Sequence, residues 1–319
     1  MIGIFDSGVG GLSVFKEVRK ALPQAGIWYY GDTAWCPYGP RERGEIIQRA
    51  EFITEMMLKG GHGNIEEGRG VDIIVVACNT ATAAAIAELR AKYSDKSNPQ
   101  VRRRVLELTG GRREYLRFIG MEPAVKPAAG ATKTGVIGVL ATAGTLRGQK
   151  YHQMKDLYKG DSKVVEHVGE GFVELVESWD LDSPHAAQVV ERSLKPLLDE
   201  GADTIVLGCT HYPFLIDTIR RVAARLCPYR DIQVINPAPA VVRHLVDVMN
   251  QERIPLSDPG TPICIEASGD SAILKRIAAL CSKEAEGDKK LASREATEPG
   301  RLEVPLTGVV DESLRGLGR

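Results

Sequence analysis

Two cysteines carry the most chemistry in this sequence. The segments GVDIIVVACNT (70–80) and GADTIVLGCTH (201–211) share Gly, Asp and Cys in register, at 70, 72 and 78 against 201, 203 and 209. Each is an apolar run ending in a thiol and two polar side chains, Asn79 and Thr80 in one, Thr210 and His211 in the other. Ligands of open α/β sheets bind at the carboxyl ends of strands. A helix starting there also offers free backbone N–H groups to a carboxylate or phosphate. Two thiols flanking one ligand suit inversion of a stereocentre. One thiolate takes a proton from carbon, and the other thiol delivers one to the opposite face. A thiol of pKa about 8.5 is only a few per cent ionised at neutral pH, so neighbours must tune it. Asp6 and His211 are the candidates to hold or shuttle protons.

The elements that must position these residues repeat as well. IGIFDSGVGG (2–11) matches IGVLATAGT (137–145), placing Asp6 opposite Ala141. Each half-unit begins with a Gly-containing strand and reaches its cysteine some 70 residues later, an internal duplication. Short apolar runs at 1–5, 26–30, 71–77, 117–121, 135–140, 204–207, 233–235 and 262–266 read as strands. Stretches of 3.6-residue apolar spacing at 12–22, 42–58 and 185–198 read as helices, the last capped by Ser183 and Pro184. The pattern predicts an α/β protein: two similar domains with mainly parallel sheets, related by a pseudo-twofold, with the active site in the cleft between them. Residues 1–93 and 213–281 are expected to form the first domain and 118–212 the second. Residues 94–117 look like an Arg-rich insertion decorating the surface, and 282–319 like a loosely attached tail.

On these motifs the sequence resembles the glutamate racemases, which need no cofactor. The match runs through FDSGVGGLSV (5–14), YGDTAWCPYG (30–39), VVACNTATA (75–83), MEPAVKPA (121–128), GVLATAGT (138–145) and LGCTHYPFL (207–215). The resemblance implies a catalytic pair, Cys78 acting on D-glutamate and Cys209 on L-glutamate, with no metal or pyridoxal phosphate. It implies substrate contacts at Asp6, Ser7, Tyr38, Gly39, Asn79, Thr80, Thr210 and His211. GFVELVE (171–177) resembles the segment that supplies a supporting acid, which makes Glu177 its equivalent. Trp35–Cys36 departs from the pattern, which often has a basic residue in this stretch. The implied role is supply of D-glutamate for peptidoglycan in the cytoplasm, with a homodimer as an open expectation. Another member of the aspartate/glutamate/hydantoin racemase group, and a non-catalytic binding protein that kept the fold, are the alternatives.

Composition closes off other classes. With 41 Lys+Arg against 42 Asp+Glu the chain lacks the basic excess of a nucleic-acid binder. No apolar run approaches a membrane span, and MIGIFDSG does not read as a signal peptide. The six Cys include no CxxC pair, so neither a zinc site nor a disulfide framework is expected, and Cys36, Cys227, Cys264 and Cys281 read as small buried apolar residues. Gly8, Gly10 and Gly11 invite a dinucleotide reading, but Ser13 stands where GxGxxG needs its third glycine. These glycines are expected instead to let the backbone approach a ligand. His62, His152, His167, His185 and His244 have no usable partner spacing and read as structural.

Overall fold

The computed structural model describes residues 1–292 except 62–65, 67–68, 123 and 257–262. The first half-unit runs β1 (Ile2–Asp6), α1 (Leu12–Ala21), β2 (Ile27–Gly31), α2 (Arg43–Lys59), β3 (Ile73–Val76), α3 (Asn79–Tyr93), α4 (Pro99–Leu108) and β4 (Arg117–Gly120). The second runs α5 (Val125–Ala131), β5 (Val136–Ala141), α6 (Ala143–Leu146), α7 (Gln149–Tyr158), β6 (Lys163–Val168), α8 (Phe172–Glu177), α9 (Pro184–Asp199), β7 (Thr204–Gly208), α10 (Ile216–Leu226) and β8 (Gln233–Ile235). The chain closes with α11 (Ala238–Gln251), β9 (Ile263–Ala267) and α12 (Ala272–Ala292).

Every strand pairing is parallel. The sheets are ordered β4-β3-β1-β2-β9 and β6-β5-β7-β8. Read from its other edge, the second sheet is β8-β7-β5-β6, the order of the first without its extra strand β9. The duplication seen in sequence is therefore a duplication of topology. Its shared aspartate is structural in both copies. Asp72 binds the N-terminal ammonium ahead of β1 at 2.5 Å, and Asp203 accepts the Lys133 and Thr134 N–H groups ahead of β5 at 2.7 and 2.9 Å. Each carboxylate anchors the chain as it enters the first strand of its sheet.

β1, β3 and β7 are buried along their whole length, as apolar strands covered on both faces must be. Ser183 caps α9 as its spacing predicts, accepting the Ala186 N–H at 3.0 Å, with Pro184 at the first helical position.

Four expectations need correction. β4 pairs with β3, so residues 117–120 belong to the first sheet; β8 pairs with β7, so 233–235 belong to the second. The chain thus changes sheets after β4 and again after β8, not at 118 and 213. β6 was not foreseen: KVVEHV is an edge strand whose residues are half-buried, so its apolar alternation is diluted by Glu166 and His167. Residues 94–117 are not a surface decoration. They contain α4, capped by Asn98 and opened by Pro99, and they bury Val101 and Val105 in the same apolar cluster as Leu89 and Tyr93. Their arginines are ion-paired: Arg104 with Glu55, Arg112 and Arg113 with Asp72, Arg117 with Glu252. The expected tail begins inside α12, which runs to Ala292; residues 293–319 lie outside the described residues, as does His62.

Candidate active site

The strand ends of both sheets meet at a narrow cleft of about 280 Å³, below the usual size of a drug-sized ligand pocket and suited to a small molecule. Ser7, Tyr38, Gly39, Cys78, Asn79 and Thr80 line it from the first sheet, and Cys209, Thr210 and His211 from the second. Of the sequence-predicted residues, Asp6 and Glu177 are not in the lining but support residues that are. Pro37, Thr142 and Val173 also line the cleft and were missed. Thr142 was within reach of sequence reasoning: it occupies the repeat position of Ser7, and its hydroxyl meets that of Thr80 at 3.0 Å.

Cys78 follows β3 and caps α3, its sulfur accepting the Ala81 N–H at 3.4 Å and donating to the Ser7 hydroxyl at 3.8 Å. Burial pushes the Cys78 thiol well up, the Asp6 carboxylate adds to this, and the Ala81 N–H opposes it. Asp6 is fully buried and accepts the Gly8 and Gly11 N–H groups, at 3.2 and 2.9 Å, and the Thr210 hydroxyl at 3.4 Å. Burial raises its pKa, against the opposing pull of His211 and of the two glycine N–H groups. The amide of Asn79, beside Cys78, is 4% exposed, and neither its oxygen nor its nitrogen has a hydrogen-bond partner. Buried polar atoms are nearly always paired, so this amide is available to a ligand.

The Cys209 side is built differently. His211 approaches the Cys209 sulfur through Nδ1 at 3.7 Å and the Glu177 carboxylate through Nε2 at 2.7 Å. Burial by itself would lower the His211 pKa, but its contacts with Cys209, Cys36 and Glu177 outweigh this and hold it well above the ordinary value. Burial works to raise Glu177, yet His211 keeps its pKa below normal. The Val9 N–H donates to the same carboxylate at 3.0 Å.

The glycine loop makes room for these side chains, correcting the expectation that it clears the way for a ligand. A Cβ on Gly8 would stand 2.1 Å from Glu177 Oε1, and one on Gly10 2.3 Å from His211 Nδ1. Tyr38 also acts differently from a simple substrate donor. Its hydroxyl is committed to Asp32 at 2.5 Å, and Arg49 grips the same carboxylate through Nε and Nη2 at 3.0 and 2.5 Å. Trp35, which replaces a commonly basic residue, lies between the guanidinium groups of Arg41 and Arg49 at 4.6 and 4.9 Å. Cys36, read from sequence as a buried apolar filler, is half-buried, and its thiol donates to Glu177 at 3.6 Å.

Comparison with known proteins places this architecture. A family model described as Asp/Glu/Hydantoin racemase matches residues 118–245. A glutamate racemase of Herpetosiphon aurantiacus is 45% identical over 222 residues, covering 70% of this chain and 76% of the relative. One from Ectopseudomonas mendocina is 38% identical over 269 residues, covering 84% and 89%. The chain belongs to the glutamate racemase family. It is a racemase, and so an isomerase. Among solved structures, a glutamate racemase isoform of Bacillus anthracis superposes with a TM-score of 0.68 at 30% identity, covering 88% of this chain and 92% of that one. The Escherichia coli glutamate racemase, solved with L-glutamate and the activator UDP-MurNAc-Ala, gives 0.67 at 25% identity, covering 86% and 94%. These likenesses match the two-sheet α/β architecture expected from sequence. No described helix is long and apolar enough to cross a membrane.

Proposed function

We propose that this chain interconverts L- and D-glutamate by two-base proton transfer at Cα, with Cys78 and Cys209 as the bases. The observation that carries this reading is the pair of repeat-related thiols lining one narrow cleft, in a chain whose relatives are named glutamate racemases. From one enantiomer, a thiolate takes the Cα proton and leaves an enolate whose charge the substrate carboxylate shares. The other thiol then gives its S–H proton to the opposite face, and each sulfur ends in the state the other began in.

The two sides are set up unequally for this exchange. Burial disfavours the Cys78 thiolate in the empty cleft. The substrate ammonium and the Ala81 N–H supply the compensating positive potential, and Asp6 is the acceptor for the displaced proton. At Cys209 the His211–Glu177 pair performs that task, relaying a proton from sulfur to a carboxylate with 25% exposure. Asn79, Thr80, Thr210 and Ser7 hold the ligand's charged groups with uncharged donors, and the Tyr38–Gly39 turn closes one wall. The cell-wall role, production of D-glutamate for peptidoglycan in the cytoplasm, belongs to the same proposal.

Incubation with L-glutamate, L-aspartate and a hydantoin, followed by optical rotation without added cofactor, tests the substrate. Loss of rotation with glutamate alone is expected. Turnover of aspartate or the hydantoin in preference would overturn the assignment.

A further inference from the structure

We infer that Cys36, Glu177 and His211 form a binding site for a thiophilic divalent cation such as Zn²⁺, through which metal arrests the cleft. Their donor atoms, one sulfur, one carboxylate oxygen and one imidazole nitrogen, all lie within 4.8 Å of one another. Cys36 Sγ is 3.6 Å and His211 Nε2 2.7 Å from the same Glu177 oxygen. The residues are separated by 141 and 34 positions in the chain, so no ligand spacing announces them.

The donor chemistry selects the metal. Thiolate, imidazole and carboxylate are the ligand types of Zn²⁺, at about 2.3 Å to sulfur and 2.0–2.2 Å to nitrogen or oxygen. Around a tetrahedral centre those bonds set the donors somewhat over 3 Å apart, so the His211–Glu177 contact need open by only about half an ångström. Mg²⁺ and Ca²⁺ prefer all-oxygen shells and are excluded by the sulfur and nitrogen. One thiolate and one carboxylate balance the dication. On binding, the Cys36 S–H bond breaks, the sulfur–metal bond forms, and the proton leaves to solvent.

The surroundings resemble those of a built site. Val9 N–H orients the Glu177 carboxylate, and the open surface of Gly8 leaves space where the donors converge. Metal-bound histidines usually donate their second ring nitrogen to an acceptor. Here Nδ1 faces the Cys209 sulfur at 3.7 Å. Metal on Nε2 would therefore lock His211 in one tautomer and tie it to Cys209, taking both out of proton transfer. Three protein ligands leave a fourth position for water or a ligand carboxylate.

Co²⁺ titration of the purified full chain tests the site without turnover. Tetrahedral d–d bands and a thiolate-to-cobalt charge-transfer band should appear, and Zn²⁺ should bleach them. Cys36→Ser should remove the charge-transfer band and weaken Zn²⁺ binding in equilibrium dialysis about tenfold or more. Cys78→Ser should keep both. Glu177→Gln provides a second variant, expected to weaken binding while retaining the charge-transfer band. An unchanged band in Cys36→Ser, loss of the band in Cys78→Ser, or cobalt binding with no thiolate band would each overturn the site. Because none of these readings uses glutamate, their failure is distinguishable from failure of the racemase proposal.

Discussion

Asn79→Ala should make the protein more stable and less active. Both polar atoms of this amide are buried without a partner in the unliganded cleft. An unsatisfied buried polar group costs about 1–3 kcal/mol. Alanine removes both atoms at a position facing the cleft, so no sealed cavity is left. The expected gain is about 1 kcal/mol, or roughly 2 °C in Tm for a chain of this size. With substrate bound the sign reverses, because a hydrogen bond to a charged group contributes about 1.5–3 kcal/mol. At 1.4 kcal/mol per factor of ten, kcat/KM should fall about 10- to 150-fold. Calorimetry of the unliganded variant and glutamate turnover followed by circular dichroism measure the two halves. A variant that melts lower than the parent and turns over glutamate normally would refute the reasoning, since Asn79 would then be a structural residue.

Gly10→Ala should cut kcat about 100-fold by displacing the His211 ring from Cys209, since its Cβ would meet Nδ1 at 2.3 Å. Gly44→Ala, with nothing within 4 Å, is the control and should keep full activity. Glu252 has a pKa lowered from 4.5 to about 2 by hydrogen bonds from Tyr115, Arg117 and Lys96. Its depressed pKa adds stability that is complete above about pH 4.5 and is lost as pH falls toward 2. Glu252→Gln should therefore cost about 1–2 kcal/mol at neutral pH, allowing for solvent screening, and flatten the acid limb of a denaturation profile in that window. Val105→Ala in α4 should cost about 2 kcal/mol in urea unfolding, because Val105 is fully buried. Replacing residues 96–113 with a Gly-Ser linker should destabilise the fold, whereas a surface insertion would come away without loss.

Sequence legibility followed burial and repetition. β1, β3 and β7 were visible as apolar runs because both faces are covered, and the cysteines were visible because the duplication aligned them. β6 escaped because an edge strand bearing Glu166 and His167 lacks that signature, although the repeat required a partner for β2. Residues 94–117 were misjudged because the arginine content hid the spacing of Val101 and Val105; the paired acids, Glu55, Asp72 and Glu252, lie far away in the chain. The meeting of Cys36, Glu177 and His211 is a product of the tertiary fold, and no local pattern encodes it.

The most direct test of two-thiol catalysis is racemisation in deuterated water by the parent, Cys78→Ser and Cys209→Ser proteins, with folding checked by circular dichroism. The parent should deliver product bearing one solvent deuterium at Cα from either enantiomer. Each single variant should fold and fail to racemise, since its remaining thiol can reach only one face of the carbon. Full racemase activity in either variant, or product from the parent that retains its original Cα proton, would contradict the account.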